Sequence, residues 1–144
     1  MNEFSVREQI IEVVNKLFIY TDYQQWQNLE NEVFSNMVQL DMTSMRGTDS
    51  EISAKAICEM WDAAFKELDA VNHLGGNYLV TINGNTADVF AYATATHYKK
   101  SAKKGTTREF TGSYDLHLKK TVNGWRIDRM KYNLKYASGN LDLK

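Results

Sequence analysis

The chain has 144 residues, of which 43 % are hydrophobic and 24 % are charged, and its formal net charge at pH 7 is −1. This composition is typical of one globular domain, and the near-zero charge excludes a general attraction to nucleic acid or to an anionic membrane surface. The single cysteine, Cys58, cannot form an internal disulfide, and no apolar stretch is long enough for a signal-peptide core or a membrane span. We therefore expect one cytoplasmic domain over residues 1–144, with no nucleic-acid or membrane partner.

The first half of the chain, up to about residue 68, shows helical spacing of its apolar residues. The sequence SVRE at 5–8 has the form of a capping box, and the helix that follows it ends at Asp22. A second, short helix is indicated by Trp26, Leu29 and Val33. Residues that form one stripe along the first helix recur at spacings of three and four: Ile10, Val13, Val14, Leu17 and Thr21.

Three further signals come before the second half of the chain. MVQLDM at 37–42 predicts a short strand, and RGTDS after it predicts a loop. TDSE at 48–51 has the form of a second capping box, which predicts a third helix that continues to Leu68. The pair Gly75-Gly76 then provides a helix stop signal, which places His73 where the helix gives way to a strand.

After Gly75-Gly76 the period of the apolar residues changes to two, which is typical of strands. A tight hairpin turn is predicted at Asn83-Gly84, between the first two strands. Helices followed by meandering strands predict an α+β domain, in which a cone-shaped, curved antiparallel sheet is packed by the N-terminal helices around a hollow. The four strand segments are NYLVTI, ADVFAYATATHY, REFTGSYDLHLKK and WRIDRMKYNLKY.

His97 shares one face of its predicted strand with Ala91, Ala93 and Ala95, because side chains alternate along a strand. Three small residues leave space above the sheet, which favours a pocket wall with His97 at its end. The same pattern is compatible with a helix that packs closely on the alanines, in which case His97 only forms a hydrogen bond at the rim.

Asp22 lies at the border of the apolar stripe of the first helix. A carboxylate there can point between helix and sheet, where it needs a hydrogen-bonding partner. A histidine is a suitable partner, because the carboxylate orients the ring and selects its tautomer. Capping of the next helix, at Tyr23 or Gln24, is an equally compatible role.

Three segments in order, YTDYQQWQNL, NHLGGNYLVTINGNTADVFAYATATHY and GSYDLHLKKTVNGWRI, resemble the SnoaL-like family of the nuclear-transport-factor-2-like superfamily. The resemblance covers nearly the full length and implies the cone-shaped, cystatin-like fold. In the dehydratase and dehydrochlorinase members, an aspartate at the end of the first helix pairs with a histidine, and the pair abstracts a proton from carbon. The matching residues here are Asp22 and His73. His97 matches a second histidine of the dehydratase, which helps to hold the leaving oxygen.

The chain also departs from the dehydratase pattern. Thr21 stands where a tyrosine precedes the aspartate, and Met42 or Thr43 lies near the place of a second tyrosine, so scytalone itself is not the expected substrate. A late basic residue of the dehydrochlorinase has no firm match. The candidates for binding substrate or supplying a proton are Tyr20, Tyr92 and Tyr114, and the sequence does not choose among them.

These residues and this resemblance predict a cofactor-independent lyase of the dehydratase type, or an isomerase or cyclase, that acts on a small, largely apolar molecule. His73 is the expected base, Asp22 orients it, and His97 binds the leaving or enolising oxygen. The alternative is a non-catalytic ligand-binding or accessory protein of the same fold. A structural subunit of a larger oxidoreductase is a third possibility, since the small subunits of ring-hydroxylating dioxygenases share the fold.

Metal binding is not expected, because the three histidines are widely spaced and include no close pair of the His-x-x-x-His kind. His117 is expected on a polar, solvated face of the sheet. Self-association into a dimer or trimer is expected, because relatives of this shape form oligomers. Candidate interface residues lie at the end of the last strand: Tyr132, Leu134 and Tyr136.

Overall fold

The computed structural model describes residues 3–144, so the first two residues of the expected domain lie outside it. Helix α1 spans Val6–Asp22 and begins with the predicted capping box. The Ser5 hydroxyl accepts a hydrogen bond from the Glu8 amide at 3.1 Å, and the Glu8 carboxylate accepts one from the Ser5 amide at 2.7 Å. Each bond satisfies an amide that the helix itself leaves free. The predicted stripe is buried against the sheet, which confirms the helical spacing.

The segment after α1 is short and irregular. Helix α2 covers Trp26–Asn28, and a π-helical turn, Leu29–Val33, leads directly into strand β1, Phe34–Asp41. A 3-10 turn at Thr43–Met45 follows β1. The predicted second helix and early strand are therefore present, with bounds shifted by a few residues.

The predicted start of the third helix is wrong. Residues 49–53 form strand β2, Asp49–Ser53, which pairs antiparallel with β1 from Asp41 to Met37. Helix α3 spans Ala54–Phe65 and is capped by Ser53, whose hydroxyl accepts from the Ala56 amide at 3.1 Å. The backbone groups of residues 49–53 form hydrogen bonds with the free edge of β1. In a helix they would have bonded within the helix instead.

The second half of the chain forms four long strands. They are β3, Ala70–Asn83; β4, Thr86–Tyr98; β5, Thr107–Thr121; and β6, Gly124–Gly139. The predicted hairpin turn is confirmed: β3 ends at Asn83, and Gly84 takes φ +63°, a conformation that glycine adopts without strain.

Gly75 and Gly76 lie inside β3 and do not end a helix, so that interpretation is wrong. Gly75 has a packing reason instead. A Cβ atom at this position would lie 2.5 Å from Cε2 of Phe18, so only glycine allows α1 to approach the strand so closely. His73 is accordingly a strand residue on the face that meets α1.

The six strands form one curved, open sheet in the order β2-β1-β6-β5-β4-β3. The pair β1–β6 is parallel and the other four pairs are antiparallel. The sheet is therefore mixed, whereas the sequence predicted an antiparallel sheet. The first helix packs against β3. None of the helices within residues 3–144 is long and apolar enough to cross a membrane.

The core lies between the helices and one face of this sheet. Burial of a large aliphatic or aromatic side chain contributes roughly 1.5–3 kcal/mol, so these residues dominate the stability of the layer. Fully buried members from both sides are Ile10, Leu17, Leu29, Phe34, Ile57, Leu118 and Ile127.

Candidate active site

A cavity of about 420 Å³ lies between the helices and the curved sheet, which is within the range of small-molecule sites. Residues of α1, α3 and the turn after β1 form one side, and residues of β3 to β6 form the other. Five of the lining residues carry polar side-chain groups: His73, His97, Arg108, Tyr114 and Tyr132. The rest of the lining is largely apolar: Leu17, Phe18, Thr21, Met42, Met45, Trp61, Ala64, Phe65, Ala95, Phe110 and Met130.

Asp22 and His73 form a buried pair at the edge of this cavity. Nδ1 of His73 lies 2.6 Å from Oδ1 of Asp22, and the two side chains are 10 % and 9 % exposed. The backbone amide of His73 also donates to the Asp22 carboxylate, at 2.9 Å to Oδ2 and 3.1 Å to Oδ1. Asp22 itself does not line the cavity, so it holds the imidazole from behind. The helix-capping alternative for Asp22 is not what the structure shows.

Phe18 fixes the His73 ring from a second side. The two rings are nearly parallel, at 13°, with centroids 5.7 Å apart. Phe18 also contacts Tyr114, with centroids 5.3 Å apart. The imidazole is therefore restrained by a carboxylate and an aromatic face, and the carboxylate is itself held by the backbone amide of His73.

His97 lies on β4 and faces the same cavity. On β3 and β4, His73 is directly opposite Ala95, and His97 is two residues further along that strand. Such diagonal neighbours on one face are roughly 7–8 Å apart. Of the three alanines expected to leave space, Ala95 lines the cavity, while Ala91 and Ala93 are buried.

The surroundings of His97 oppose its protonation. Its ring packs against Phe65 and Phe110, with centroids 5.4 Å and 5.5 Å away, and Nε of Arg108 donates to its Nδ1 at 3.0 Å. Burial, the charge of Arg108 and the proximity of His73, in that order of size, together lower the pKa of His97 to about 4. The ring is therefore neutral at neutral pH.

Tyr114 and Tyr132 complete the polar part of the wall. They face each other across β5 and β6, with ring centroids 5.0 Å apart. Burial raises the pKa of Tyr114, and Tyr132 and Asp22 raise it further, so its hydroxyl remains a hydrogen-bond donor. The hydroxyl of Tyr132 is sealed and has no partner within the described part of the chain. Gly112 makes room for it, because a Cβ there would lie 2.7 Å from that hydroxyl.

Two of the three predicted substrate-binding tyrosines lie outside the cavity. The Tyr20 hydroxyl donates to the Glu32 carboxylate at 3.3 Å, and its ring packs at the edge of the core, outside the residues that line the cavity. Tyr92 is 41 % exposed on the outer face of β4, where Lys135 lies 4.9 Å from its ring centroid. Strand alternation explains the second error, since residue 92 and residue 97 point to opposite faces. Only Tyr114 lies where a ligand could reach it.

The remaining candidates also lie elsewhere. His117 is on the outer face and pairs with Asp128 at 2.6 Å, as expected for a polar face. Cys58 is buried, and burial raises the pKa of its thiol to about 11, which is typical of a packed, unreactive cysteine. Within residues 3–144, no three His, Cys, Asp or Glu side chains converge as a metal site would require. Tyr132, proposed for an interface, lines the cavity instead, whereas Tyr136 is 60 % exposed; self-association stays a prediction.

Arg108 is the functional residue that the sequence did not reveal as such. It lies near the start of β5, on the inner face of that strand. Strand alternation could have identified it, because Arg108 lies on the same face of β5 as Phe110 and Tyr114, and both of these line the cavity.

The comparisons with known proteins agree on family and fold. The model of the SnoaL-like domain family matches residues 2–131. The solved structure of the Kfla4162 protein from Kribbella flavida is 24 % identical, with a TM-score of 0.89 and 95 % of each chain covered. A nuclear transport factor 2-like superfamily protein from Salmonella enterica serovar Typhimurium is 19 % identical, with a TM-score of 0.75 and 94 % of each chain covered.

A third neighbour is a hexachlorocyclohexane dehydrochlorinase from Novosphingobium barchaimii. It is 10 % identical, with a TM-score of 0.73, and the match covers 92 % of this chain and 88 % of that one. At these identities the solved structures show a shared fold. No curated protein is significantly similar in sequence. The family and fold expected from the sequence are confirmed.

Proposed function

Because this chain belongs to the SnoaL-like domain family, we propose that it is a lyase of the dehydratase type, or an isomerase or cyclase. It acts without a cofactor on a small, largely apolar molecule. The observation that carries the proposal is the buried Asp22–His73 pair at the edge of a mostly apolar cavity. The dehydrochlorinase neighbour lends support, since loss of HCl is itself an elimination.

In the proposed reaction His73 is the general base. Its Nδ1 faces the Asp22 carboxylate and donates to it, so the lone pair of Nε2 is left to take a proton from a substrate carbon. The electron pair of the broken C–H bond forms a new C=C bond. In an elimination the leaving group departs from the adjacent carbon with its own bonding pair. In an isomerisation the π pair of the neighbouring carbonyl group moves onto its oxygen instead, and it returns when another carbon takes the proton.

The other polar groups stabilise the charge that develops on oxygen. His97 holds the leaving or enolising oxygen, and the Tyr114 hydroxyl is the remaining candidate for a second donor. Both lie on the inner face of the sheet beside largely apolar side chains. Fixed donors in such surroundings stabilise a developing oxyanion better than water does, because they need no reorganisation.

A panel of small cyclic β-hydroxy ketones and chlorinated cyclohexanes, followed by proton NMR in D₂O, tests this proposal. Product formation and C–H exchange are measured together. His73→Gln is expected to slow turnover about 10²- to 10⁴-fold, the usual contribution of a positioned base. His117→Gln is the matched control, because its aspartate pair has the same 2.6 Å separation but lies on the outer face. It is expected to keep the full rate.

Undiminished turnover in His73→Gln, with its fold confirmed by circular dichroism, would refute the proposal. Binding of panel compounds in the cavity without any C–H exchange in the natural chain would favour the ligand-binding alternative.

A further inference from the structure

Arg108 is held on two sides at the wall of the cavity. It lies directly opposite His97 in the pairing of β4 and β5. Its Nε donates to Nδ1 of His97 at 3.0 Å, and its Nη1 donates to the carbonyl oxygen of Leu141 at 2.9 Å. The guanidinium carbon lies 5.7 Å from the centroid of the Phe110 ring. Arg108 forms no ion pair with any residue between 3 and 144.

This contact determines which nitrogen of His97 carries a proton. A guanidinium only donates hydrogen bonds, so the Nδ1 atom that receives its N–H must be the unprotonated nitrogen. A neutral imidazole then carries its proton on Nε2. The Nε2 atom has no hydrogen-bond partner in residues 3–144. Two other side-chain atoms without a partner, the Trp125 indole nitrogen and the Tyr132 hydroxyl, are fully buried, but Nε2 of His97 is not. It is therefore open to a ligand.

We infer that Arg108 is a positioning residue that fixes His97 as a hydrogen-bond donor toward the cavity, and that the ligand carries a carbonyl or hydroxyl oxygen at this end. The groups that face His97 fit this assignment. They are Arg108 on β5, His73 on β3 and the rings of Phe65 and Phe110, and none of these is acidic. Protonation to a two-donor imidazolium is thus disfavoured.

The two histidines consequently present opposite chemistry to one cavity. Nδ1 of His73 donates to a carboxylate, which leaves an acceptor at Nε2; Nδ1 of His97 accepts from a guanidinium, which leaves a donor at Nε2. A ligand that fits both has an oxygen acceptor at one end and a removable C–H proton near the other. The catalytic consequence rests on the proposed function, whereas the donor state of His97 does not.

Histidine-labelled protein and long-range proton–nitrogen NMR at pH 7 test the tautomers directly. His97 is expected as the Nε2–H form and His73 as the Nδ1–H form. In Arg108→Met, which keeps a long apolar side chain but no donor, Nδ1 of His97 is freed and its protonation midpoint is expected to rise. If Arg108→Met fails to fold, Arg108→Lys serves instead, since it keeps the charge but cannot place a donor at the Nε position. A structural role confined to the Leu141 contact would leave the His97 resonances unchanged.

Two matched probes, acetophenone and ethylbenzene, test the ligand class. They have nearly the same shape, but only the ketone offers an oxygen acceptor. The natural chain is expected to prefer acetophenone about two- to tenfold, the contribution of one net hydrogen bond. The preference is expected to disappear in His97→Phe and to weaken in Arg108→Met.

An Nδ1–H tautomer of His97 in the natural chain, or equal affinity for the two probes, would overturn the inference. Neither readout needs turnover. If both come out as expected while no substrate is turned over, the proposed enzyme activity fails and the role of Arg108 stands.

Discussion

Acidification is expected to destabilise the folded chain through His97. The side chain is buried, and burial, Arg108 and His73 together lower its pKa from 6.5 to about 4. In the unfolded chain the same histidine is solvated and takes up a proton near pH 6.5. Between these two values the unfolded state binds the extra proton and the folded state does not, so lower pH favours unfolding.

The expected size of this effect follows from the two pKa values. The gap between 6.5 and about 4, at about 1.4 kcal/mol for each pKa unit, comes to roughly 3–4 kcal/mol of unfolding free energy. The contribution is fully present above pH 6.5, falls as the pH drops through this window, and is lost at pH 4. A domain of this size is stable by only about 5–15 kcal/mol, so the effect is large enough to measure.

Urea unfolding of the natural chain and of His97→Gln at several pH values between 7 and 4 measures it. Glutamine keeps an acceptor for the Arg108 guanidinium but cannot be protonated. All other titrating groups are shared, so the difference between the two unfolding free energies isolates His97. That difference is expected to move by roughly 3–4 kcal/mol in favour of the variant as the pH falls. Parallel curves for the two proteins would refute this account of the His97 environment.

Two further substitutions test the site and the fold. Asp22→Asn is expected to keep the fold but to slow turnover about 10³- to 10⁴-fold. The reason is that the asparagine amide can donate to Nδ1 of His73, which places the imidazole proton on Nε2, toward the cavity. A turnover rate only slightly reduced in steady-state kinetics would contradict the assignment of the base. Gly112→Ala places a Cβ 2.2 Å from the Asn133 carbonyl oxygen. Because backbone must shift, a loss of roughly 1–3 kcal/mol is expected in urea unfolding, and an unchanged midpoint would count against the close approach of β5 and β6.

The sequence alone determined the features that depend on neighbours in the chain. The stripe from Ile10 to Thr21, the capping box at 5–8 and the hairpin turn at Asn83-Gly84 all lie where the pattern predicted. Alternation along β4 correctly placed His97 on the inner face. The same rule, applied to every strand residue, excludes Tyr92 and includes Arg108, so the sequence was sufficient to reject the first and to find the second.

Other features depend on contacts between distant segments, and only the tertiary structure decided them. Residues 49–53 form a strand because the edge of β1 is there to pair with them, although their sequence resembles a helix start. The glycine at 75 lies inside a strand because Phe18 needs the space above it. The parallel pairing of β1 with β6 has no local signal at all.

The candidate site shows the same division. Residue chemistry marked Asp22 as a carboxylate in need of a partner but left helix capping equally open, and the family resemblance pointed to His73. Only the folded chain brings these side chains, 51 positions apart, to within 2.6 Å of each other. Periodicity is a property of a few consecutive residues, whereas the meeting of a helix end with a strand depends on how the whole sheet curves around that helix.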